Sequence, residues 1–160
     1  MNKAYLLTGG NLGSRETNLL MAKKLIEESC GFVSKTSSLY STAAWGQTEQ
    51  PDFLNQALEV HTLLNARQLI RRILKAEKKM GRERNEKYGP RIIDIDVLLF
   101  NNEIYDLHFL KVPHPELQNR RFALVPLAEI APELVHPVLK KNIATLLHEC
   151  TDKLEVKKLS

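Results

Sequence analysis

Ile92-Ile93-Asp94-Ile95-Asp96-Val97-Leu98-Leu99-Phe100 is the most strand-like run in the sequence. Its β-branched and apolar residues are broken only by two acids spaced i and i+2, and Asn101-Asn102 ends it. Alternation along a strand puts Asp94 and Asp96 on one face. Ile93, Ile95, Val97 and Leu99 then point to the other, core-facing side. Upstream, Asn65 with Gln68 reads as a capped helix start. Ala66, Leu69, Ile70, Ile73 and Met80 follow at helical spacing, and Gly81 ends the helix. Before that helix, Leu58, Val60 and Thr62 show the period of two of a strand, and Phe32 to Thr42 predicts another. The first helix carries Leu19, Ala22, Ile26 and Cys30 on one face, starts at Ser14 and closes at Gly31. Lys3 to Thr8 is the first strand, and Gly9-Gly10-Asn11-Leu12-Gly13 reads as a tight structural turn. The order is strand, helix, two strands, helix, strand. It predicts an α+β, ferredoxin-like fold with helices packed on a mainly antiparallel sheet. After Phe100, Asn101-Asn102 predicts a hairpin to Glu103-Ile104-Tyr105, and short helices are expected around Phe122 to Glu129 and Ile143 to Cys150.

The 160 residues suit a single domain, 1–160, with one core and no need of disulfides. With 43% hydrophobic and 26% charged residues, the composition excludes a disordered, collagen-like or coiled-coil chain. No apolar run approaches the roughly 20 residues of a membrane helix. The four apolar residues from Ala4 to Leu7 are too few for a signal peptide. Cys30 and Cys150 fit neither a disulfide framework nor a zinc spacing, and a reducing, cytoplasmic setting is expected. The net charge is +4, but between Arg71 and Arg91 nine basic residues face three acids, a local +6. Such a concentration suits an anionic partner, polyphosphate or nucleic acid, or simply a solvated basic helix face.

Two acids in a central strand need a compensating cation. Their Cα atoms stand about 6.6 Å apart, close enough to share a metal site. Hard oxygen donors favour magnesium, usually shared with substrate phosphates, and salt bridges to Arg or Lys are the structural alternative. Arg91 at the strand mouth, with Arg82 and Arg84 on the preceding loop, supplies phosphate-binding forks. His114, held between Pro113 and Pro115, is a fixed donor to phosphate, with Arg120 close behind. Trp45 to Asn55 brings aromatic faces and an amide to one loop region, suited to stacking and edge-reading a flat heterocycle. This parts list fits phosphoryl transfer. An RNA-binding module on the same scaffold would use the basic segment, but its strand aromatics are replaced by repelling aspartates. A metal-dependent nuclease or glycosyl-transfer enzyme would need further acids or a base.

Lys87-Tyr88-Gly89-Pro90-Arg91-Ile92-Ile93-Asp94-Ile95-Asp96-Val97-Leu98 resembles the signature of the 6-hydroxymethyl-7,8-dihydropterin pyrophosphokinase family of folate biosynthesis. Gly10 to Gly13, Gln50 to Asn55, Val112 to Pro115, Arg120 to Phe122 and Pro126 to Pro132 match in family order. The resemblance implies transfer of pyrophosphate from ATP to the pterin hydroxymethyl group, giving AMP and the pterin diphosphate. It implies two magnesium ions on Asp94 and Asp96, and Arg82, Arg84 and Arg91 on the phosphates. Arg82, Arg91, Asp94 and Asp96 form the implied catalytic set. Glu77, His114 and Arg120 would contact ATP. Phe53 and Phe122 would sandwich the pterin, with Asn55 on its edge and the backbone from Thr42 through Ala43 to Trp45 helping. A monomer with no nucleic-acid or membrane partner is expected. The chain departs from the common pattern at Gly10, where a serine is usual, at Ala43-Ala44, where prolines would stiffen the loop, and at Tyr88, where tryptophan is common. Looser pterin binding is expected from the second change.

Overall fold

The computed structural model describes residues 1–44, 50–81 and 90–159. β1 (Asn2–Gly10) leads to α1 (Arg15–Ser29), then β2 (Phe32–Thr36), β3 (Leu39–Thr42) and β4 (Phe53–Thr62). α2 (Ala66–Lys79) and β5 (Asp94–Phe100) complete the strand–helix–strand–strand–helix–strand unit. β6 (Tyr105–Leu107), β7 (Leu110–Val112), α3 (Arg121–Ile130), α4 (Ile143–Glu149) and β8 (Lys157–Leu159) follow. The main sheet runs β5-β1-β4-β3-β8, with β2 also on β4, and these pairings are antiparallel. With β2 and β3 taken as one interrupted strand, this is the ferredoxin-like order expected from the sequence. No helix among the described residues is long and apolar enough to cross a membrane.

The sheet is covered on both faces, so there are two cores. Leu19, Ala22 and Ile26 of α1 and Leu69 and Ile73 of α2 pack on Leu6, Leu58, Ile93, Ile95 and Val97. On the other face, Leu124 and Leu127 of α3 and Ile143 and Leu146 of α4 meet Tyr5, Leu7, Leu98 and Leu99. Leu99 therefore lies on the face opposite the one expected. Tyr5 pairs with Leu99 but Leu6 with Val97, and the extra residue, Leu98, shifts the alternation.

Other local differences have equally local causes. The strand expected over Phe32 to Thr42 is split at Ser37: its N–H still donates to the Ala57 carbonyl at 2.9 Å, but its hydroxyl and not its carbonyl takes the Ala57 N–H, at 2.9 Å. The Asn65–Gln68 capping box forms in both directions, whereas Ser14 begins α1 without a side-chain cap bond. Gly31 follows α1 because a Cβ there would overlap the His61 carbonyl of β4. Gly81 does end α2 in the left-handed conformation, φ 87°. Asn101 turns the chain at φ 50°, but β6 pairs with β7 and not with β5. Asn101 itself is tied to Lys3 of β1 by two 2.8 Å hydrogen bonds.

Candidate active site

The register of three strands builds the floor of a cavity. Gly9 pairs with Asn55 of β4 on one side and with Asp94 of β5 on the other. Two residues back along β1, Leu7 pairs with Asp96, and two residues before Asn55 on β4, Phe53 pairs with Thr42 of β3. Strands lie about 4.8 Å apart, so Asn55 and Asp94 start roughly 10 Å from each other across Gly9. A cavity of about 320 Å³ opens above this row, and Asp94, Asp96, Asn55, Phe53, Thr42 and Ala43 all line it. Phe122 of α3 and Arg120, the residue just before that helix, also line it. The alternation inferred for the two acids therefore holds, with Ile93, Ile95 and Val97 in the core beneath them.

Glycines at the end of β1 let other groups approach. A Cβ on Gly9 would overlap Asn55 Oδ1, and one on Gly10 would overlap the Ile92 carbonyl. Their task is close approach within a strand, not the turn expected; of that run it is Gly13 that has positive φ, at 68°. Asn11 is 2% exposed and joins separate segments. Its Nδ2 donates to Gln50 Oε1 at 3.0 Å and to the Pro51 carbonyl at 3.1 Å. Its Oδ1 accepts the Arg91 N–H at 2.9 Å. Gln50, Pro51 and Arg91 are thus all tied to the residue that follows β1.

Charge is arranged around the acids. Arg91 Nη1 pairs with Asp94 Oδ2 at 2.5 Å, and the guanidinium lies 5.6 Å from the Phe53 ring centroid. The salt bridge considered as an alternative is therefore present for Asp94, and it joins the acidic and aromatic ends of the cavity. Arg120 lies 5.5 Å from the Phe122 centroid in the same way. The donor set suits magnesium. Among the described residues no group of three or more His, Cys, Asp or Glu could hold a metal. Two carboxylates leave most of an octahedral shell to phosphate oxygens and water, as magnesium prefers.

His114 sits on the loop after β7, its N–H bonded to the Leu98 carbonyl at 2.9 Å. Burial, and then the Arg120 charge, lower its pKa to about 4, against a smaller upward pull from Glu116. Its Nδ1 accepts the Glu116 N–H at 3.1 Å, so the neutral ring carries its proton on Nε2. Glu77 is 2% exposed on α2 and is not a wall of the cavity. Its Oε2 accepts the Ile95 N–H at 2.7 Å from beneath β5. Trp45, Arg82 and Arg84 lie outside the described residues. Sequence reasoning missed Glu116, Asn119 and Leu154, which also line the cavity. Glu116, Asn119 and Arg120 share the helical spacing of the turn after Pro115, a signal available in the sequence; Leu154 has none.

The pattern of the family 7,8-dihydro-6-hydroxymethylpterin-pyrophosphokinase matches residues 5–132. The chain is 40% identical over 151 residues to the 2-amino-4-hydroxy-6-hydroxymethyldihydropteridine pyrophosphokinase of Aquifex aeolicus, covering 94% of each. It is 42% identical over 134 residues to the Bacillus subtilis protein of the same name, covering 83% of this chain and 80% of that one. Among solved structures it is similar to Plasmodium falciparum HPPK-DHPS with pterin and p-hydroxybenzoate, with TM-score 0.74 and 19% identity. That likeness, one of fold, covers 92% of this chain and 41% of the solved one.

Proposed function

The chain belongs to the 7,8-dihydro-6-hydroxymethylpterin-pyrophosphokinase family, and on that premise we propose how its cavity carries out the reaction. The activity is the ATP-dependent pyrophosphoryl transfer of folate biosynthesis. The hydroxymethyl oxygen of 6-hydroxymethyl-7,8-dihydropterin bonds to the β-phosphorus of ATP. The bond from that phosphorus to the AMP oxygen breaks, AMP leaves with the electron pair, and the hydroxyl proton is released to solvent.

The row Asp94–Gly9–Asn55 carries this reading, because it sets a carboxylate and an edge-reading amide at opposite ends of one floor. Phe53 and Phe122 offer faces for the pterin ring, and Asn55, with the Thr42–Trp45 backbone, reads its edge. Asp94 and Asp96 would hold magnesium, two ions with ATP. When bound, it screens the triphosphate and makes the attacking hydroxyl more acidic. Arg91 and Arg120, with Arg82 and Arg84, neutralise phosphate charge, and His114, beside the cavity wall residue Glu116, would offer its Nε2 proton to an anion without adding charge. Glu77, enclosed under β5, is assigned the fixing of that strand. The reading includes one domain over 1–160, a monomer, and a cytoplasmic location in keeping with two free cysteines, Cys30 and Cys150.

The test is to incubate the protein with ATP, magnesium and 6-hydroxymethyl-7,8-dihydropterin, with a control lacking pterin. Pterin-dependent AMP is expected. ADP in its place would overturn the pyrophosphoryl assignment, and folded protein without nucleotide turnover would overturn the substrate.

A further inference from the structure

The segment Asp152–Leu159 is far in sequence from the other cavity residues, yet it is tied to the elements of the site at two points, Asp152 and β8. Asp152 Oδ2 accepts the N–H of Arg121, the first residue of α3, at 3.1 Å. Asp152 Oδ1 accepts the Leu154 N–H at 3.0 Å. Beyond them, β8 pairs with β3, Ser41 opposite Lys157 and Leu39 opposite Leu159. Followed backwards from Lys157, this antiparallel register carries the chain alongside Thr42 and Ala43. Leu154 emerges there, half-buried, as an apolar wall of the cavity.

We propose that Leu154 is a substrate-contacting residue of the heterocycle end of the site, with Asp152 as its positioning residue. This rests on the pterin reading above. One carboxylate sets two walls at once. Its Oδ2 holds the start of the helix bearing Phe122, and its Oδ1 sets the backbone turn that presents Leu154. The frame is closed at the far end of α3, where Glu129 accepts the Ser38 N–H at 3.1 Å and also takes the Tyr40 hydroxyl. Tyr40 lies on β3, two residues before Thr42. β3, α3 and the segment from Asp152 therefore brace one another around the ring-binding end. The acids of β5 belong to none of these contacts, so Leu154 bears on pterin and not on ATP.

The decisive measurement is the Kd of 6-hydroxymethyl-7,8-dihydropterin and, separately, of a non-hydrolysable ATP analogue with magnesium, on the full chain. Leu154→Ala should raise the pterin Kd about tenfold, the scale of lost apolar contact in a substrate pocket. It should leave the analogue Kd within about twofold. Leu154→Met, which keeps the volume, should restore most of the affinity. Asp152→Ala should raise the pterin Kd by at least as much, and the analogue Kd by less, since the Arg121 it holds adjoins Arg120. An unchanged pterin Kd in folded Leu154→Ala protein, or equal weakening of both ligands, overturns the inference alone. Native protein that binds no pterin overturns the function reading and this inference with it.

Discussion

Gly9 leaves the space that the side chain of Asn55 fills. The two are register partners on β1 and β4, and a Cβ at position 9 would overlap Asn55 Oδ1 while standing 3.3 Å from the Leu54 carbonyl. The missing side chain thus lets the amide lie over the sheet floor, on the opposite side of β1 from Asp94.

Gly9→Ala should therefore act as a substrate-site lesion as well as a packing one. Overpacking of this kind costs about 1–3 kcal/mol, readable as a lower Tm. The displaced amide should raise the pterin Kd at least about tenfold, since an unpaired polar edge in a pocket is costly. Equal loss of ATP-analogue and pterin binding would count against the local account.

What could be read from the sequence followed from short-range periodicity. Asp94 and Asp96 share a face because strand alternation is insensitive to the rest of the fold, and the Asn65–Gln68 box is closed within four residues. What escaped was set by distant segments. Gly9 reads as a turn until Asn55 is seen across from it. Leu99 changes face through a bulge at Leu98 that alternation cannot announce. Leu154 reaches the site through the β8–β3 pairing, formed by a three-residue strand with no signature of its own. Trp45, Arg82 and Arg84 lie outside the described residues, so their assignment rests on the family resemblance.

Asp96→Ala should remove turnover while leaving the fold intact. The side chain is on the cavity face of β5 and outside both apolar cores, so its loss opens no core void. Losing a charge-positioning group at a phosphoryl site costs on the order of 10²–10³ in rate. AMP formation across a magnesium titration is the check. Activity retained at the native level, with an unchanged magnesium dependence, would sink the ligand assignment.

His114 should stay neutral through the working pH range. The folded ring protonates near pH 4, the unfolded one near 6.5. Between those values the unfolded chain binds more protons, so this residue's contribution to stability falls as pH drops from about 6.5 towards 4. The ring resonance of His114 should not titrate between pH 8 and 5. Thermal unfolding of His114→Gln should lose this part of the pH dependence. A ring titrating near 6.5 in the folded protein would contradict the enclosed, neutral donor.

Glu59 supplies the complementary case, a buried charge remote from the chemistry. It is 4% exposed on β4, and burial alone would push its pKa up. Hydrogen bonds from Ser34, His61 and Tyr5 outweigh that and hold it down at about 2. Tyr5 and Ser34 donate at 2.8 and 2.7 Å. A depressed carboxylate stabilises above its unfolded pKa, and this stability is lost as pH falls from about 4.5 towards 2. Glu59→Gln at neutral pH exchanges charged hydrogen bonds for neutral ones and turns one acceptor oxygen into a donor facing other donors. A cost of about 1–3 kcal/mol in unfolding free energy is expected, shrinking as the acid limit is approached. Because Glu59 lies four residues along β4 from Asn55 and does not line the cavity, kcat and the pterin KM should be unchanged below the melting transition. A selective rise in pterin KM would mean that this cluster is coupled to the site through β4, and chemical denaturation run beside steady-state kinetics distinguishes the two.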